Sequence, residues 1–151
     1  MEDIKELRYF KKTLVRSNTR GVYKGDEDHI WISDNERIQK LAYDIEKRRI
    51  ELNKTSGFEK LYSTVTKLYF GGMAKHFLTL KKVLKPGAKL AYVVGDQASY
   101  LRVMIRTGSI LAEIAQSMGY ELIRIDLFRT RKATATRSEL REEVVLLQWN
   151  G

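Results

Sequence analysis

Residues 80–96 read LKKVLKPGAKLAYVVGD, and the order of residue types in them sets the fold class. Apolar positions at helical spacing run into Lys85-Pro86-Gly87, which holds the only proline of the chain and stops the helix. Residues 89–94, KLAYVV, then form a short apolar strand that ends at Gly95-Asp96. In open α/β sheets the carboxyl ends of the strands line the ligand crevice, which puts Gly95 and Asp96 at its rim. The plainer reading of the same residues is a sharp turn followed by a solvated acid.

Upstream, residues 59–84 carry Leu61, Val65, Leu68, Phe70, Met73, Phe77, Leu80 and Leu84 at helical spacing. Gly71-Gly72 lies in the middle of this helix and weakens or bends it, by about 1 kcal/mol per glycine relative to alanine. Tyr62, Tyr69, Phe70 and Phe77 make an aromatic series whose first use is core packing, with base stacking as the other reading. Downstream, Thr107 or Ser109 caps a helix with Ile110, Leu111, Ile114, Ala115 and Met118 on one stripe, ended by Gly119. Strands follow at 120–128 and 142–149. The order helix, strand, helix, strand, strand is half of an α/β sheet.

Residues 1–58 read differently. A first helix over 2–15 places Ile4, Leu7, Phe10 and Leu14 on one stripe, and a polar loop follows. Ser33 and Glu36 have the spacing of a capping box that opens a helix over 34–53. Both helices are charged and narrow-striped, so they lie against something rather than forming a core alone. The domain reading is a helical arm over 1–58 and an α/β half-domain over 59–151.

The formal charge is +9 and the pI about 9.7, which favours a polyanionic partner. Residues 59–151 carry +7 of it. Within 124–141, six cations (Arg124, Arg129, Arg131, Lys132, Arg137, Arg141) face two acids, Asp126 and Glu139. The basic loop 128–142, FRTRKATATRSELRE, interleaves guanidinium forks with short hydroxyls, a pattern suited to phosphates. A solvated connection between two strands is its other reading. Four such contacts give a salt slope near −3.6, from about −0.9 per contact. Arg106 pairs with Asp96 on the surface or faces a phosphate.

Zero cysteines exclude disulfides, cysteine-ligated zinc and thiol nucleophiles, and fit a cytoplasmic chain. His29 and His76 lie 47 positions apart, so no metal site is expected. No apolar run approaches the roughly 18–20 residues of a membrane span, and no export signal opens the chain. Neither histidine has a serine placed for a covalent triad.

A longer string carries a family resemblance. Tyr69-Phe70, Met73, Leu84-Lys85-Pro86-Gly87, Val93-Val94-Gly95-Asp96, Ile105-Arg106-Thr107, Leu111-Ala112-Glu113-Ile114-Ala115, Gly119-Tyr120, Arg129-Thr130-Arg131 and Leu140-Arg141-Glu142-Glu143 resemble, in order, the C-terminal half of class I S-adenosylmethionine-dependent DNA modification methylases of the amino-methylating type. Ile4-Lys5-Glu6-Leu7-Arg8 is similar to the stretch that follows their catalytic motif. The resemblance implies the C-terminal portion of a Rossmann-like methyltransferase sheet preceded by a helical arm. It implies Gly95, Asp96 and Arg106 at the site rim, and Arg129, Arg131, Lys132 and Arg137 toward nucleic acid.

Two signature pieces are missing. Such enzymes hold the extruded base with a Pro-Pro-aromatic motif, and one proline cannot supply it. The cofactor's glycine-rich turn is absent too, because no G-x-G occurs. No catalytic, cofactor-binding or metal position is therefore assigned, and S-adenosylmethionine enters only if a partner supplies the missing half. Such a sheet has an exposed edge and an uncovered apolar face, which calls for self-association or a second polypeptide. DNA is the expected partner and no membrane is. The alternative is a non-catalytic nucleic-acid-binding or assembly protein on the same scaffold.

Overall fold

The computed structural model describes residues 3–134 and 136–151, and the chain divides into two compact units, Met1–Met73 and Ala74–Gly151. The elements are α1 (Ile4–Thr13), α2 (Glu36–Glu51), α3 (Tyr62–Leu80), β1 (Ala88–Gly95), α4 (Thr107–Ser117), β2 (Glu121–Lys132) and β3 (Glu139–Trp149). The fold is mixed α/β, with four helices and a three-stranded antiparallel sheet among the described residues.

In the first unit, Asp3 caps α1 by accepting from the Lys5 amide at 3.2 Å. The expected stripe is present, yet Ile4, Leu7, Phe10 and Leu14 are all exposed, and Ile4 keeps 67% of its surface. The chain after α1 is pinned by Arg16, which is 6% exposed. Its guanidinium forks onto both oxygens of Asp26 at 2.8 Å and donates to the Lys11, Lys12 and Leu14 carbonyls. A buried cation at the end of a helix thus satisfies carbonyls that no helical amide reaches. The hydrogen bond from Arg16 holds the Asp26 carboxyl below its ordinary range, against the opposing push of burial.

The cap of α2 is Asn35, whose side chain accepts from the Ile38 amide at 3.0 Å; the Ser33–Glu36 box expected from the sequence does not form. Ser33 instead ends the preceding 3-10 turn, Asp28–Ile32. A reciprocal box does form between Ser56 and Glu59, each accepting from the other's amide at 3.2–3.3 Å. Ile38, Ala42 and Ile45 on α2 and Val65, Leu68 and Phe70 on α3 are buried.

Gly71-Gly72 does not break α3, which runs unbroken from Tyr62 to Leu80. The pair serves a close approach instead. A Cβ on Gly71 would collide with the Asp28 carbonyl oxygen, and one on Gly72 would sit 3.0 Å from the Val15 side chain. The helix gives up intrinsic propensity so that a loop backbone can lie against it.

In the second unit β3 lies between β1 and β2 and is antiparallel to both. Its register pairs Tyr92 with Val145 and Leu90 with Leu147 on one side, and Ile125 with Val145 and Leu122 with Leu147 on the other. This face is covered: α4 touches all three strands, and Ile110, Leu111, Ile114, Val145 and Leu147 are buried. Phe77, Tyr92, Tyr120 and Trp149 stack beside them at ring separations of 5.2–5.6 Å, and the Tyr120 hydroxyl donates to the Phe77 carbonyl at 2.7 Å. His76 is half-buried here, with its Nε2 2.8 Å from the Tyr92 hydroxyl. Burial lowers the His76 pKa and pushes the Tyr92 phenol up to about 12.

The opposite face is bare. Ala91 and Val93 of β1 are exposed, Val93 at 73%, beside the half-buried Val144 and Leu146 of β3. Both outer edges of the sheet lack a neighbour among the described residues. The strands run further than expected, so that most of the basic loop 128–142 is paired strand, with β2 reaching Lys132 and β3 starting at Glu139.

Replacing Gly71 with alanine tests the glycine notch by its sign. Helix propensity alone predicts a gain of about 1 kcal/mol, whereas the collision with Asp28 predicts a loss of about 2–4 kcal/mol. Urea unfolding of Gly71→Ala, with Gly57→Ala as the open-space control, decides between them; a Gly71→Ala chain as stable as the parent removes the notch.

Candidate nucleic-acid interface

The residues expected at the rim and in the basic segment share one end of the sheet. β1 finishes at Gly95, and the Asp96 amide continues the ladder by donating to the Arg141 carbonyl at 2.9 Å. The Asp96 side chain turns inward. It is 2% exposed as a residue, accepts from Arg106 Nη1 at 2.6 Å and from the Arg141 amide at 3.2 Å. Arg106 also donates to the Glu139 carbonyl at 3.3 Å. One carboxylate thus ties the end of β1, the approach to α4 and the start of β3. The solvated acid and the surface ion pair expected from the sequence are both replaced by a buried acid under a half-exposed arginine, whose side chain keeps 45% of its surface.

The same engagement bears on the cofactor. Both side-chain contacts to Asp96 fall on Oδ2 and are supplied by the protein, and the side chain is 1% exposed. The sequence holds no G-x-G turn for this strand end to work with. Among the described residues no group of three or more potential ligands gathers for a metal ion, and no helix is long and apolar enough to cross a membrane.

Neither Thr107 nor Ser109 caps α4. Its N-cap is Arg106, which makes no side-chain cap bond. The carboxylate of Glu143, from β3, lies where a side chain on Gly108 would be and is held there by Arg141 Nε at 2.5 Å. An acid set against the first turn of a helix is favoured by the positive end of its dipole.

The predicted cations separate into two kinds. Arg129 and Arg131 on β2 both pair with Glu142 of β3, Arg131 at 3.2 Å. The hydrogen bond from Arg129 holds Glu142 below the usual carboxylate range, against a smaller opposing effect of burial. Lys132, at the end of β2, and Arg137, in the turn, make no side-chain ion pair among the described residues. Glu142 is therefore a component that reading the cations alone misses. Its signal was in the sequence: strand alternation puts it on the face opposite Glu143, and the pairing of β2 adds the arginines.

Beside the hairpin, residues 97–105 make a closed excursion. Gln97 and Ile105 bond to each other through both backbones, at 3.1 and 2.7 Å. Ala98 is buried in one cluster with Ala133 and Leu140, and Met104 packs on it. At the tip Val103 donates to the Tyr100 carbonyl at 3.0 Å, and Leu101 and Arg102 have φ of +56° and +64°. Residues with a Cβ enter that region at a cost of about 1–2 kcal/mol each.

Two predictions come from these ion pairs. Arg106→Ala leaves a buried carboxylate without its charge partner and lowers stability by about 2 kcal/mol in urea unfolding; an unchanged midpoint shows that Asp96 does not need the arginine. Glu142→Gln releases Arg129 and Arg131, and duplex DNA affinity at low salt rises about 3–10-fold. Acid should mimic it. Because the folded pKa of Glu142 is depressed, its pairs persist above the unfolded value near 4.3 and weaken only as pH falls through the lower folded one. No protein-family model, curated protein or solved structure matches this chain.

Proposed function

We propose that this chain forms the target-side portion of an amino-methylating DNA methyltransferase, with the cofactor-binding strands supplied from outside these 151 residues. The observation that carries this reading is the inequality of the two sheet edges. β2 is interrupted by register shifts at Leu122/Arg124 and Leu127/Arg129 and bears Arg124, Asp126, Arg129, Arg131 and Lys132. Bulges and charges are how proteins keep an edge from pairing. β1 reads AKLAYVVG, has no register shift against β3, and carries one charge, Lys89. It suits a further strand, and the bare face around Val93 extends onto whatever that strand belongs to. The element order from α3 to β3 is the one the sequence resemblance implies.

A second reading rests on Asp96. With Asp96 Oδ2 held by Arg106 and the Arg141 amide, and with Lys132 and Arg137 making no side-chain ion pair among the described residues, the chain suits nucleic-acid binding without chemistry. The two readings differ over the source of the cofactor half. A preceding or neighbouring segment that ends in a Pro-Pro-aromatic motif favours the first, and its absence favours the second.

Calorimetric titration of the 151-residue chain with S-adenosylmethionine should give no binding heat, and micromolar affinity would overturn the methyltransferase-portion reading. Duplex DNA should bind with a salt slope that falls by about 0.9 per lost contact when Arg129, Arg131 and Lys132 become alanine. An unchanged slope would remove the hairpin from the interface.

A further inference from the structure

We infer that the turn at Leu101-Arg102 is a second DNA contact, in which Arg102 takes a backbone phosphate of the duplex that the β2–β3 hairpin engages; this rests on the nucleic-acid reading above. Three observations meet there. The excursion 97–105 is stiff, closed at its base by two backbone hydrogen bonds and packed through Ala98 and Met104 onto Ala133 and Leu140. Its tip and the hairpin turn therefore belong to one rigid end of the second unit.

The tip also holds two residues with a Cβ on left-handed backbone. Two successive positive φ values under a Tyr100–Val103 hydrogen bond make a mirror-image turn, which glycine and asparagine enter freely. Here the positions hold leucine and arginine. Arg102 is exposed and makes no side-chain hydrogen bond or ion pair among the described residues, so its guanidinium recovers none of the cost there. Strain of this kind persists where the surroundings impose it, and it concentrates at binding sites.

The third observation is a counterpart. Arg137, in the turn beside Ala133 and Leu140, has φ +54°, is exposed and also lacks a side-chain partner among the described residues. Two arginines on left-handed backbone thus stand on neighbouring turns, while Arg106, Arg129, Arg131 and Arg141 are each bound to an acid. A guanidinium already displayed on a stiff turn loses little freedom when a phosphate oxygen accepts from it.

The test is fluorescence anisotropy of a labelled DNA duplex with the 151-residue chain at two salt concentrations, with melting curves alongside. Arg102→Ala should weaken binding about 5–10-fold at low salt and reduce the salt slope by about 0.9. Arg102→Lys should restore most of the affinity. Arg102→Gly should lose affinity to the same extent while melting a few degrees higher, because glycine relieves the turn. A binding loss that tracked a lower melting temperature would mark a structural role and overturn the proposal. If both Arg102 variants bind as the parent does while the triple hairpin variant weakens, this contact is wrong and the hairpin reading stands. If neither set alters binding, or the parent chain does not bind DNA, both are wrong.

Discussion

Every strand-to-strand hydrogen bond of the sheet runs through β3. Among the described residues β1 and β2 have no other strand partner, and they meet β3 over Ala88–Gly95 and Glu121–Lys132. The start of this central strand is fixed at several points. Arg141 accepts from Asp96 through its carbonyl, donates to it through its amide and holds Glu143 with its side chain. Glu142, next along, gathers Arg129 and Arg131 from β2. Two consecutive acids on opposite faces thus secure β3 to α4 on one side of the sheet and to β2 on the other.

The consequence for the sheet as a whole is asymmetry. One face has α4 and an aromatic cluster over it, and the other presents Val93 and Ala91 to solvent. One edge is guarded by bulges and charge, and the other is a bare apolar strand. Apolar area is worth roughly 25 cal/mol per Å² when covered, so an unguarded strand next to an uncovered face is a standing incentive to pair. α1 adds a third such surface, with Ile4 and Phe10 exposed on a helix that is otherwise well capped.

How much of this the sequence carried depends on the range of each interaction. The Lys85-Pro86-Gly87 stop, the strand after it and the α4 stripe rest on local rules, and they fall within a few residues of their expected places. Gly71-Gly72 did not read correctly, because the reason for those glycines is the backbone of Asp28, more than forty residues away in sequence. Ser33 and Asn35 both satisfy the local chemistry of a cap, and only the folded course of the 3-10 turn selects Asn35. The hairpin was read as a loop from Phe128 onward because its arginines and threonines show no apolar alternation. An exposed strand needs none, since the ladder supplies the pairing. Asp96 was placed correctly at the end of a strand, but its inward turn depends on Arg106 and Arg141, ten and forty-five positions on.

Charge at this end of the sheet is therefore sorted by function. Net charge alone made the whole segment look available to a polyanion, yet three acids there remove cations from that pool. Asp96 takes Arg106, Glu143 takes Arg141, and Glu142 takes Arg129 and Arg131 together. These pairs hold strands in register, and a phosphate that competed for one of their arginines would have to displace a carboxylate already in place. Surface pairs of this kind are worth at most about 1 kcal/mol each, so displacement at Arg129 and Arg131, both more than half exposed, is cheap, whereas at Arg106 it uncovers a buried acid. The exposed pairs can open without uncovering a buried group, and the buried one stays with the fold.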